Sequence, residues 1–216
     1  MLTSPQSKNS ADRIILFICL LSIGYAIVRY HISGPVPWKD LPLFTLNKGI
    51  ALSAFILLTF TFSFGPLNNL KVKVPEKFLA SRKALGMIGF LLAFIHVLIS
   101  FLLFKPALYG KFFHPDGSLT LAAGLSMLGG VLSFVILWVY NLSFQTRLRE
   151  DKRFMKFIAS RHFILPAMLF SLLHLFFMGY RGWLSPADWH GGLPPISLVS
   201  FAFFVVAYVI NLFGRK

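Results

Sequence analysis

The sequence predicts an all-α protein, a polytopic membrane bundle of six transmembrane helices, and three observations carry that prediction. Of the 216 residues, 56% are hydrophobic and only 13% charged, with a mean hydropathy of +0.74, the composition of a chain whose main solvent is lipid. Six long stretches contain no Asp, Glu, Lys or Arg. None shows the alternation of barrel strands, so helices must satisfy the backbone within the bilayer.

The elements follow in order. Residues 1–13, MLTSPQSKNSADR, read as a polar, mobile tail. The first apolar run, 14–28, is flanked by Arg13 and Arg29 and followed by no small-x-small cleavage site, so it reads as a retained signal anchor. The second run is 49–70. The third, 84–104, follows the basic pair Arg82 and Lys83 and contains one histidine, His96. The fourth, 117–146, carries Gly124, Gly129 and Gly130, small residues that permit close helix approach. The fifth, 162–180, carries His162, Pro166 and His174, and the sixth is 189–214. Residues 14–214 thus form one transmembrane domain. The single cysteine, Cys19, lies in the first run and is read as a packing or lipid-facing residue.

Orientation follows from the basic residues of the connections. With the N-terminus inside, 15 of the 21 Lys and Arg fall on the inner side, and both termini face the cytoplasm. A net charge of +14 distributed between apolar spans sets topology and meets lipid headgroups; it does not point to nucleic acid. The outer connections hold Pro, Gly and Trp, with Trp38, Trp183 and Trp189 read as interfacial anchors.

No carboxylate falls within a span, which argues against a carboxylate proton relay or a cation-transport site. Histidine is the remaining chemistry. His31, His114 and His190 lie in outer loops or at span ends, where a solvated imidazole needs no further explanation. His96 and His174 lie inside spans, where an imidazole loses hydration and needs a partner. Lys83 to His96 and Arg161 to His174 are each 13 residues, or roughly 20 Å at 1.5 Å per residue. The two side chains are therefore expected at one depth, displaced toward the outer face. Two neutral imidazoles so placed suit the axial ligands of a b-type haem. The competing reading is a pair of packed histidines, hydrogen-bonded to neighbouring helices, in a non-redox membrane protein such as an assembly partner or small transporter.

The segments SRKALGMIGFLLAFIH at 81–96, NKGIALSAFILLTFTFSFGPL at 47–67 and RHFILPAMLFSLLH at 161–174 resemble the ferric-reductase-like transmembrane haem proteins. Within them the chain is most similar to the haem-binding subunit of the bacterial periplasmic methionine sulfoxide reductase system. The resemblance covers about residues 45–180. It implies that His96 is the third-span haem ligand and His174 the distal fifth-span ligand, with His162 nearest the proximal fifth-span position. His162 and His174 are 12 residues apart, a 120° offset on an ideal helix, which a kink at Pro166 would alter. Two-haem members carry a further third-span histidine where this chain has Arg82, so one haem b is implied. Arg82 and Arg161 are candidates for a propionate, a quinone or a flavin phosphate near the inner surface, or else they snorkel to the headgroups.

No Cys cluster and no GxGxxG after a strand occurs, so no iron–sulfur or nicotinamide site is expected within these residues. The expected function is a b-type cytochrome subunit of the bacterial inner membrane. It would take electrons from a quinol or a flavin reductase inside and pass them to a periplasmic oxidoreductase or a ferric chelate outside. A related outcome is a family member that keeps the fold and binds a quinone or a partner without haem.

Overall fold

The computed structural model describes residues 5–215. Nine α-helices occur among them, and no strand. In chain order they are α1 Pro5–Ile27, α2 Leu46–Asn69, α3 Glu76–Leu103, the short α4 Pro106–Tyr109, α5 Leu121–Leu142, the short α6 Thr146–Arg149, α7 Lys152–Ala159, α8 Arg161–Trp183 and α9 Ile196–Gly214. Six of them (α1, α2, α3, α5, α8 and α9), some lengthened by adjoining turns, are long and apolar enough to span a bilayer, so the chain is a multi-pass membrane protein.

The helices and the apolar runs that predicted them differ at their ends. α1 is already helical at Pro5, within the expected tail, and continues into a π-turn at Val28–Ile32. α3 starts at Glu76, directly after Pro75, because proline suits the entry to a helix and an acidic first turn complements the helix dipole. α5 is shorter than its run, beginning after Thr120, whose hydroxyl caps the Ala123 amide at 3.2 Å. Pro66 and Pro166 sit inside α2 and α8, which continue through them.

α2 is the axis of the bundle, with α1, α3 and α9 packed around it. From α9 the packing passes to α8 and from α8 to α5, while α5 meets α3 only lightly. The five helices α3, α2, α9, α8 and α5 thus form a ring whose loose seam lies between α3 and α5. That seam is aromatic: Phe90 and Phe94 of α3 stack on Phe134 of α5 with centroids 5.7 and 6.0 Å apart, and Trp138 closes edge-on against all three.

Without a hydrophobic drive between helices in lipid, close approach and polar contacts hold such a ring. Gly49 faces the backbone of Ile23, where a Cβ would come within 2.9 Å of its Cα. On α5 the small residues Ser126, Gly129, Gly130 and Ser133 line the face toward α8. Ser133 meets Ser171 at 2.5 Å and donates to the Ala167 carbonyl at 3.2 Å, and a Cβ on Gly129 would lie 3.0 Å from the α8 backbone. Gly124, expected to share this role, faces open space. Asn211 of α9, fully buried, donates to the Phe62 carbonyl of α2 at 3.2 Å.

The loop-rich ends of α1 and α9 are tied together as well. Arg29 is buried and donates to the Leu193 carbonyl, and Tyr25 donates to the Pro194 carbonyl at 2.6 Å. His31, expected to be solvated, is 8% exposed and stacks on Trp38 at 4.6 Å.

The Gly49 contact predicts that Gly49→Val separates α1 from α2 and costs about 1–3 kcal/mol. Denaturant titration of detergent-solubilised protein reads this as a lower midpoint, and an unchanged midpoint contradicts the contact.

Candidate functional site

His96 and His174 lie toward the same end of the bundle. His96 is 7 residues before the end of α3, and His174 is 9 before the end of α8, which places them about 10 and 14 Å from those ends. The two helices do not pack along one another, yet the imidazoles come within electrostatic range. The pair expected at one depth is brought together.

Each imidazole is oriented by a bond from the same nitrogen. His96 donates its Nδ1–H to Oδ1 of Asn47, on α2, at 2.8 Å, and Asn47 in turn donates to Ser100 Oγ at 3.0 Å. His174 donates its Nδ1–H to the backbone carbonyl of Ser126, on α5, at 2.9 Å, while Ser126 Oγ donates to the His174 carbonyl at 3.0 Å. A carbonyl oxygen can only accept, so the proton belongs on Nδ1 and each Nε2 carries a lone pair. Among the described residues neither Nε2 makes a hydrogen bond, and neither is sealed in by protein. The contrast is His31, whose Nδ1 also bonds a carbonyl, Val36 O at 2.9 Å, but whose Nε2 is buried without a partner.

The space for the His174 ring is made by Gly130. A Cβ there would come within 2.9 Å of His174 Nδ1, so any larger residue would push the imidazole off the Ser126 carbonyl. The Ser126, Gly129, Gly130 face of α5 therefore packs α8 closely and seats its histidine at once.

The donor set limits what can bind. Among the described residues no three of His, Cys, Asp and Glu come together as metal ligands, whereas a bare zinc or similar ion needs three or four protein donors. Two imidazole lone pairs instead match an iron whose other four donors come from a macrocycle.

The cations nearest the pair are ones that the sequence suggested only as topology markers. Lys48, near the start of α2, lies within electrostatic range of both imidazoles. Its ammonium sits over the Phe44 and Tyr109 rings at 5.1 and 4.8 Å. Lys111 interacts with Lys48 and Arg181, giving three positive charges around the same end. The candidates at the other end stand apart. Arg82 is 14 residues from His96 on α3, about 21 Å along the helix, and its Nε donates to the Thr61 carbonyl at 3.1 Å. Arg161 opens α8, and His162 beside it is exposed, 12 residues from His174.

No protein-family model matches this chain, and no curated protein sequence matches it.

Lys111 offers a check on the charge cluster. Its stem is exposed, but its ammonium donates to the Met178 carbonyl at 2.9 Å. Burial, then the Lys48 and Arg181 charges, push its pKa down from 10.5 to about 8. Between those values the unfolded chain holds the proton that the folded protein has released, so stability rises with pH through this window and is lost as pH falls through about 8. Solvent at the exposed stem damps the effect. With no anion bound at this end, the thermal midpoint of the wild type is expected to rise from pH 8 to pH 10 by more than that of Lys111→Gln. Equal slopes contradict the cluster.

Proposed function

We propose that His96 and His174 are the axial ligands of one b-type haem and that the chain is the membrane cytochrome subunit of an oxidoreductase system. The observation that supports this reading is the matched pair of Nδ1–H bonds, to Asn47 Oδ1 and to Ser126 O, which leaves both Nε2 lone pairs available toward the same end of the bundle. Bound haem would supply reversible one-electron exchange at its iron. The chain's own residues do the rest.

Asn47 and Ser126 hold the ring orientation and raise the basicity of Nε2. Gly130 leaves room for the His174 ring. Lys48, Lys111 and Arg181 provide positive charge where the carboxylates of a propionate-bearing macrocycle would need it. On the side away from this cluster, the Phe90, Phe94, Phe134 and Trp138 rings fill the seam between α3 and α5. At that side Arg82 stands at the position that holds a second histidine in two-haem relatives, which favours one haem rather than two. A quinone or flavin could meet Arg82 or Arg161 there.

The excess of Lys and Arg on the face that carries both termini supports a cytoplasmic placement of that face, in the inner membrane of a bacterium. Electrons would then enter there from a quinol or a flavin reductase and leave at the loop-rich face, near the histidines, to a periplasmic oxidoreductase. The similarity to the haem-binding subunit of the methionine sulfoxide reductase system supports that choice of partners. The alternative, a non-redox protein with packed histidines, explains the hydrogen bonds at each Nδ1 but leaves both Nε2 atoms without a purpose. A packed imidazole in lipid gains by pairing both nitrogens.

His96→Ala and His174→Ala are each expected to abolish haem retention while the protein still accumulates in the membrane. Asn47→Leu is expected to retain haem with about 10–100-fold weaker affinity. Haem content per chain after purification reads all three, and full retention in either histidine variant contradicts the assignment.

A further inference from the structure

At the opposite end of the bundle, a cavity of about 260 Å³ opens among the ends of α3, α5 and α9 and the helices α6 and α7. Four cations from three separate elements line it: Arg82 and Lys83 of α3, Arg149 of α6, and Arg215 just after α9. No carboxylate lines it, and no ion pair forms among the described residues.

The hydrogen bonds that these cations do make go to neutral acceptors. Arg82 Nε donates to Thr61 O at 3.1 Å, Arg215 Nε to Asn211 Oδ1 at 2.7 Å and Arg215 Nη1 to Ala159 O at 2.9 Å. Glu150 and Asp151, which follow Arg149 in the chain, do not line the cavity, and Asp151 caps α7 by accepting from the Arg153 and Phe154 amides at 2.8 and 3.0 Å. Burial holds Arg215 below the usual guanidinium range, with Tyr140 opposing and Arg82 adding to the effect. Like charges gathered in a partly dry cavity repel, and an anion placed among them would offset the cost. Guanidinium forks fit the paired oxygens of a phosphate better than a monatomic ion.

Besides Tyr140 and Ser143, the rest of the lining is apolar: Phe144, Met155, Ile158 and Ala159. The adjoining α7 is amphipathic: Lys152, Arg153 and Lys156 lie on one side, while Ile158 is buried in the core with Phe154 packed against it. Such a helix lies at the level of the lipid headgroups. A ligand with a phosphate and an apolar portion matches a cavity built this way at this level.

We propose that this cavity binds a phosphate ester, supplied by the headgroup of an anionic phospholipid of the adjacent leaflet. The site is separate from the histidine pair and does not depend on the haem reading.

The test uses the full chain purified in neutral detergent, titrated with dioleoyl-phosphatidylglycerol, dioleoyl-phosphatidylcholine or inorganic phosphate, with bound ligand counted by native mass spectrometry. The variant is Lys83→Gln with Arg149→Gln. Both residues are exposed and make no side-chain hydrogen bond among the described residues, so the fold is spared; Arg149→Gln alone serves if the pair does not accumulate. The control is Lys152→Gln with Lys156→Gln on α7, outside the cavity. Wild type is expected to prefer phosphatidylglycerol, and the cavity variant to weaken it about tenfold per cation removed, with the control unchanged. Inorganic phosphate binding that is lost in the cavity variant, without preference between the lipids, supports the phosphate site and assigns it to a free ester. Equal lipid binding with no phosphate binding overturns the proposal, as does an equal loss in the control, which would mark general surface charge.

Discussion

The structure turns on what an imidazole requires in lipid. With no water to solvate its N–H, a histidine inside a span must find an acceptor on a neighbouring helix. Here that requirement joins α3 to α2 through His96 and Asn47, and α8 to α5 through His174 and Ser126. Both contacts use Nδ1, so the same two bonds that join the helices also determine which nitrogen is left over. Packing and tautomer therefore share one cause: the acceptors that make the histidines tolerable in the bilayer also leave each Nε2 with its lone pair.

The ring of helices serves this arrangement. α2, most buried of the spans, supplies Asn47 from its first turn, next to Lys48, so the partner of His96 and the cation nearest both histidines come from one element. α5 supplies the Ser126 carbonyl and the Gly130 gap from one small-residue face. The two helices that carry the histidines are held by different neighbours and do not pack along each other. Charge is divided in the same way. One end gathers Lys48, Lys111 and Arg181 near the imidazoles, the other gathers Arg82, Lys83, Arg149 and Arg215 around a cavity, and the span interiors carry none of the acids that would neutralise either set.

Much of this was legible in the sequence. Six apolar runs, their basic flanks and two histidines at equal distance from a flanking cation follow from composition and the helical rise alone. The acceptors were not legible. Asn47 and His96 are 49 residues apart, Ser126 and His174 are 48 apart, and a backbone carbonyl leaves no trace in sequence at all. An Asn beside the start of an apolar run was the one available signal for the first contact. Gly130 looked like its neighbours Gly124 and Gly129, yet Gly124 faces open space and Gly130 makes room for an imidazole; helical phase separates them only once the facing helix is known. His31 misled in the other direction, because a loop position suggested solvation while a π-turn at the end of α1 folds it beneath Trp38.

The central claim is that the two free Nε2 atoms are ligands of one haem. The most direct measurement is the dithionite-reduced minus oxidised visible spectrum of the purified wild-type protein, with haem counted by pyridine haemochrome. Sharp low-spin α and Soret bands at about one b haem per chain, as one bis-histidine site requires, are the predicted result. A colourless protein, after expression with ample haem, contradicts the account and returns the two histidines to packing.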